Sequence, residues 1–161
     1  MNLYLTGQLH SVHNINIDNI KIKQQLKLPE GWVLKSGTEQ VESQYCQTQD
    51  SNEGYILQIP YEYELETGTI KEWPTFTIQL YQKAKKEDIL LAQCSYFIPY
   101  GDGKSVSKQH LNNDKGYSYG FVNVDNWVFK NNFDQLVEYV KRSDSKQIQK
   151  QEDKKEASES K

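Results

Sequence analysis

The chain has 161 residues and a formal net charge of -3, long enough for one domain to bury most of its apolar surface without metals or disulfides. From that balance alone nothing suggests a nucleic-acid or membrane patch, and no apolar run approaches the length of a membrane span. Eleven tyrosines against one methionine suit amphipathic strand faces better than helical bundles.

The first element is an alternating run, Leu3, Leu5 and Leu9, and Gly7 within it marks a bulge or a close backbone approach. No basic stretch with an apolar core opens the chain, so no secretory signal is expected. A polar turn at 14–19 precedes a second strand through Ile20, Ile22, Leu26 and Leu28, which Pro29-Glu30-Gly31 ends. Trp32-Val33-Leu34 runs into the turn Ser36-Gly37, and Val41, Ser43 and Tyr45 alternate as a third strand. After a turn at 51–54 come Tyr55 to Pro60 and the alternating Tyr61, Tyr63 and Leu65.

The clearest strand follows. Phe76, Ile78 and Leu80 alternate with Thr75, Thr77, Gln79 and Tyr81, the period of a strand with one buried face. Pro74 stands just before it, where a missing N–H does no harm, and pushes Trp73 to an extended conformation. A second apolar run from Ile89 to Ile98 ends at Pro99, giving a hairpin bounded by prolines. Tyr117 to Phe129 is aromatic and β-branched, enough for one or two further strands. Phe133, Leu136, Val137 and Val140 then share one helical face, with Asn131 or Asn132 as N-cap. Short strands between turns predict an all-β antiparallel sandwich with one short C-terminal helix over residues 1–142. Residues 143–161 form a charged low-complexity tail, expected to be disordered or a frayed helix.

Candidate chemistry is sparse. Gly101-Asp102-Gly103-Lys104-Ser105 has the end of a phosphate-binding loop, but Ile98 stands where that motif needs its first glycine. A turn fits better. His10, His13 and His110 have no metal-ligand spacing, and no nucleophile motif accompanies them. Asp18, Asp50, Asp88 and Asp102 fall one to a loop, an unfavourable start for calcium. Cys46 and Cys94 are expected as reduced, partly buried thiols in a cytosolic protein, with a disulfide between neighbouring strands the lesser alternative. No catalytic residue, metal or cofactor is expected. Tyr61 and Tyr63 share one face, either an exposed aromatic ledge for a partner or a covered face of the sandwich. Lys83, Lys85 and Lys86 cluster in the hairpin turn, either as a solvated turn or facing an anionic lipid headgroup, with Glu87 and Asp88 weakening the patch.

The order of these motifs resembles the B9 domain family. Leu3-Tyr4-Leu5-Thr6-Gly7-Gln8-Leu9 and Gly31-Trp32-Val33-Leu34-Lys35-Ser36-Gly37 are similar to the start of such a domain. Ile59-Pro60 leading to Trp73-Pro74, Tyr96-Phe97-Ile98-Pro99, Trp127 and the 133–140 helix continue the likeness through about residue 140. The resemblance implies a C2-like β-sandwich without enzymatic activity. It implies a scaffold subunit on the cytoplasmic side of the ciliary basal body and transition zone, where it joins other B9 proteins and tectonic and Meckel-syndrome subunits that gate ciliary membrane proteins. A C2-like module that binds anionic membrane lipid without calcium is the alternative. The family's usual last strand is missing, so either 119–124 fills that place or an edge is left for a partner strand. Tyr119 and Phe121 are the candidate partner-binding residues there, beside Tyr61 and Tyr63.

Overall fold

The computed structural model describes residues 1–47 and 54–131, with the isolated positions 149, 155, 157 and 158 beyond them. Among the described residues nine strands form: β1 (Asn2–His13), β2 (Ile20–Lys27), β3 (Trp32–Ser36), β4 (Gln40–Glu42), β5 (Tyr55–Thr67), β6 (Thr75–Gln82), β7 (Ile89–Phe97), β8 (Gly103–Asn112) and β9 (Ser118–Asn131). Their hydrogen-bonded order is β3-β5-β1-β9-β8-β7-β6-β2-β4, antiparallel throughout. At β7–β8 the ladder thins to one residue pair, Gln93↔Asn112. There it folds over into two leaves, β3-β5-β1-β9-β8 and β7-β6-β2-β4, whose buried side chains form one core. The predicted all-β sandwich is the fold observed.

Alternation explains which residues face inward. Phe76, Ile78 and Leu80 of β6 are fully buried, as are Leu3, Leu5 and Leu9 of β1 on the opposite leaf. Each such side chain contributes about 1.5–3 kcal/mol by leaving water. The start of β6 is pinned twice: the Trp73 indole donates to the Ile98 carbonyl at 2.8 Å, and Ile98 N–H donates to Pro74 at 3.1 Å. Trp32 meets Trp73 edge-on, ring centroids 5.3 Å apart, and donates its own indole N–H to Glu72. Both tryptophans therefore close the sandwich at the proline-bounded end of the hairpin.

Gly7 is a close approach rather than a bulge; the register shift of β1 lies between Leu9 and Ser11. A Cβ at Gly7 would stand 2.5 Å from the Asp125 carbonyl and 2.7 Å from the Tyr61 ring. The ring lies across that gap to reach β9, so a glycine is required.

Several expectations change. Tyr61 and Tyr63 are 6% and 1% exposed, inside the core rather than on a ledge, because their face of β5 is the one turned to the second leaf. The third strand is shorter than Val41–Tyr45: β4 ends at Glu42, and beyond it the Ser43 N–H donates to the Ile22 carbonyl and Cys46 bridges to Ile20. Trp32–Ser36 is itself a strand, paired with β5. Of the 101–105 turn only Gly101 and Asp102 lie outside a strand, since β8 starts at Gly103, and 118–131 is a single strand, the first of the two alternatives. β9 is no edge, since β1 and β8 flank it. Among the described residues, open backbone lies instead along β7 and β8 on either side of their joint, and on the outer sides of β3 and β4. The helix expected over 133–140 and the tail over 143–161 lie outside the described residues, the four isolated positions apart.

Candidate functional site

Alternate residues of the first leaf point away from the core, and the strand registers place them in rows. One row runs Glu62–Thr6–Trp127–Lys104 across β5, β1, β9 and β8. Its neighbours are Glu64–Tyr4–Phe129 on one side and Pro60–Gln8–Asp125–Val106 on the other. Down the strands, β5 contributes an acidic column of Glu62, Glu64 and Glu66, and β8 a basic one of Lys104 and Lys108. Between them stand Trp127, 60% exposed, Phe129, 56%, and Tyr4, whose ring centroid is 6.2 Å from that of Phe129. Val106 is 65% exposed beside them. A recess of about 280 Å³ opens at Thr6, Gln8, Pro60, Lys104 and Trp127. Glu66 pairs with Lys35 at 3.1 Å, and Asp125 accepts from the Gln8 amide at 2.9 Å. Glu62, Glu64 and Lys104 have no ion pair among the described residues. An exposed tryptophan beside two further exposed rings is a composition that binding surfaces share.

The same face continues to Phe121, half-buried and stacked on His13 at 4.9 Å, with His110 at 5.6 Å and the Lys108 ammonium 4.9 Å above its ring. Tyr119 is half-buried against the core. Phe121 is thus brought to the first leaf's outer face, and Tyr61 and Tyr63 are not. Ser11 Oγ lies 2.8 Å from His13 Nε2, 3.0 Å from His10 Nδ1 and 3.2 Å from the Asn123 amide. A Ser–His pair invites a nucleophile reading, yet Ser11 is buried at the register shift, out of reach of a substrate. The cluster ties the shifted backbone together.

Beneath this face is a polar seam in the core. Tyr61 donates to Asn126 Oδ1 at 2.6 Å and Tyr96 to Gln24 Oε1 at 2.9 Å. Gln24 and Asn126 are both buried, and Gln24 Nε2 and the Tyr63 hydroxyl have no partner among the described residues. Burial holds the Tyr61 and Tyr96 phenols well above the ordinary tyrosine range and pushes Tyr63 up to about 12. Burial likewise raises the Cys46 thiol and takes Cys94 to about 11, and both cysteines are free.

At the hairpin turn, Lys83, Lys85 and Lys86 are all exposed. The Lys83 ammonium sits 4.9 Å over the Tyr45 ring. Tyr45 donates to Asp88 at 2.6 Å and Lys21 pairs with Asp88 at 3.3 Å. The Tyr45 hydrogen bond holds the Asp88 carboxyl below its usual range, with Lys21 adding to the effect. Asp102 accepts from the Lys130 backbone N–H at 3.1 Å. Among the described residues no three His, Cys, Asp or Glu side chains come together as a metal site.

Two leaves packed in this order define a C2-like β-sandwich, and solved structures show the same class. A C2 domain of a plant extended synaptotagmin 1 superposes with a TM-score of 0.58 at 6% identity, covering 80% of this chain and 96% of that domain. Human GIVD cytosolic phospholipase A2 matches with a TM-score of 0.56 at 10% identity over 81% of this chain, but only 18% of its own length. No curated protein sequence matches significantly. The model of the B9-C2 family, described as ciliary basal body-associated B9 protein, matches residues 3–150. This chain belongs to that family.

Proposed function

We propose that this protein is a non-enzymatic scaffold subunit at the ciliary basal body and transition zone, where it binds other B9-domain proteins and the tectonic and Meckel-syndrome subunits that gate entry into the cilium. The observation that carries this reading is the family match over residues 3–150. The surface is consistent with it: exposed rings on a rigid leaf serve recognition, and the serine of the Ser11–His13 contact is buried. A tagged chain expressed in ciliated cells should concentrate at the base of the cilium, and its depletion should lower the fraction of cells with cilia. Diffuse distribution with normal ciliation would overturn the reading.

The C2-like fold supports a second reading, a calcium-independent module on anionic lipid, with Lys85 and Lys86 as its exposed contacts. Lys83 contributes less, held as it is over Tyr45. Co-sedimentation of the isolated chain with phosphatidylserine vesicles in chelator at physiological salt separates the two. Strong binding that Lys85→Ala/Lys86→Ala abolishes favours the lipid module.

A further inference from the structure

We infer that the outer face of the first leaf is a self-association surface, on which a second copy of this chain packs about a two-fold axis running parallel to the strands. The inference does not depend on the ciliary reading. It rests on the polarity of the face: the acidic column of β5 lies three strand positions from the basic column of β8, with the rings of β1 and β9 between.

When identical faces pack together, the two-fold axis lies in the plane of contact. An axis perpendicular to the strands would set each column on its own copy, acid on acid and base on base. An axis parallel to the strands exchanges left for right and keeps each row at its own level. Glu62 of one copy then meets Lys104 of the other, and symmetry makes the pair twice. Both residues stand in one row, at its opposite ends, so no sliding is needed. The same rotation sets the Trp127 of each copy near the other's Thr6 and buries Tyr4 and Phe129 between the leaves. It also keeps the strands of the two leaves nearly aligned, the usual arrangement of packed sheets.

Three of the other charges on the face already have contacts within their own chain. Asp125 is already held by Gln8, Glu66 by Lys35, and the Lys108 ammonium lies over Phe121. Five strands span roughly 20 Å, and the twelve residues of β1 run roughly 40 Å. That is a projected face on the order of 800 Å², one side of a standard-sized interface. The aromatic centre supplies the attraction, while the charges select the orientation. The exposed apolar side chains of the second leaf, Ile89, Leu90 and Phe97, stand apart at the two ends of β7, and the middle of that leaf is polar. Its outer residues hydrogen-bond to one another, Thr77 with Ser95, Gln79 with Gln93 and Tyr81 with Gln79.

The test is sedimentation velocity on the full chain across a concentration series reaching the high micromolar range. The wild type should form a dimer, and Trp127→Ser should weaken it by about tenfold or more. Glu62→Lys should weaken it severalfold, and the charge exchange Glu62→Lys/Lys104→Glu should restore it. These side chains are exposed, so unchanged melting temperatures would show that folding is not at issue. A wild-type monomer at every concentration overturns the proposal. So does a dimer indifferent to Trp127→Ser, or one that the charge exchange fails to restore.

Discussion

Tyr61 and Tyr63 are neighbours on one strand face, both buried, and losing the hydroxyl should affect them in opposite directions. The Tyr61 hydroxyl donates to Asn126 Oδ1 at 2.6 Å, and Asn126 is itself buried. Tyr61→Phe removes a net hydrogen bond of about 1 kcal/mol and leaves a buried amide oxygen short of a donor, a penalty of about 1–3 kcal/mol. The expected loss is about 2–4 kcal/mol. The Tyr63 hydroxyl has no partner among the described residues, so Tyr63→Phe removes a polar group already desolvated. The result should lie between neutral and about 1 kcal/mol more stable. Urea unfolding at matched m-values reads both. At this chain length 1 kcal/mol is worth about 2–4 °C, so the two variants should separate by several degrees on heating. Equal destabilisation by both substitutions would refute the assignment of partners in the core seam.

Three further outcomes follow from the same core. A folded tyrosine pKa raised above its unfolded value gives stability that is complete below the unfolded pKa and lost as pH rises toward the folded one. With Tyr63 near 12, and Tyr61 and Tyr96 also raised, stability should fall from about pH 10 upward. Phenolate absorbance of these rings should appear together with unfolding rather than before it. Gly7→Ala places a Cβ against the Asp125 carbonyl and the Tyr61 ring; the loss should be about 2–3 kcal/mol by chemical denaturation, larger than for Ala at the solvent-exposed Gly68. The Cys46 and Cys94 thiols, both raised by burial, should react with a disulfide reagent at pH 8 far more slowly in the native protein than in urea.

How far the sequence carried these features depends on whether the signal was local. The β6–β7 hairpin was legible because Phe76, Ile78 and Leu80 alternate with polar residues between two prolines. β8 was not, since its inward residues Ser105, Ser107 and Gln109 are polar and only half-buried, where the leaves diverge from their single-pair joint. For Tyr61 and Tyr63, period two separates the faces of a strand but does not say which is inside; that depends on the second leaf, through contacts such as Tyr63 with Phe76 at 5.7 Å. The exposed stripe of Tyr4, Trp127 and Phe129 is created by pairing β1 with β9, whose registers join Tyr4 to Phe129 and Thr6 to Trp127 from opposite ends of the folded chain. No window of sequence contains it. The acidic residues of β5 and the lysines of β8 acquire their polarity in the same way, through strand order alone.

The scaffold role itself is tested most directly by affinity purification of the tagged full chain from ciliated cells, with co-purifying proteins quantified by mass spectrometry. Enrichment of other B9-domain proteins, with tectonic or Meckel-syndrome subunits beside them, is the predicted result. Efficient recovery of the bait with no other B9-domain protein above background would contradict it.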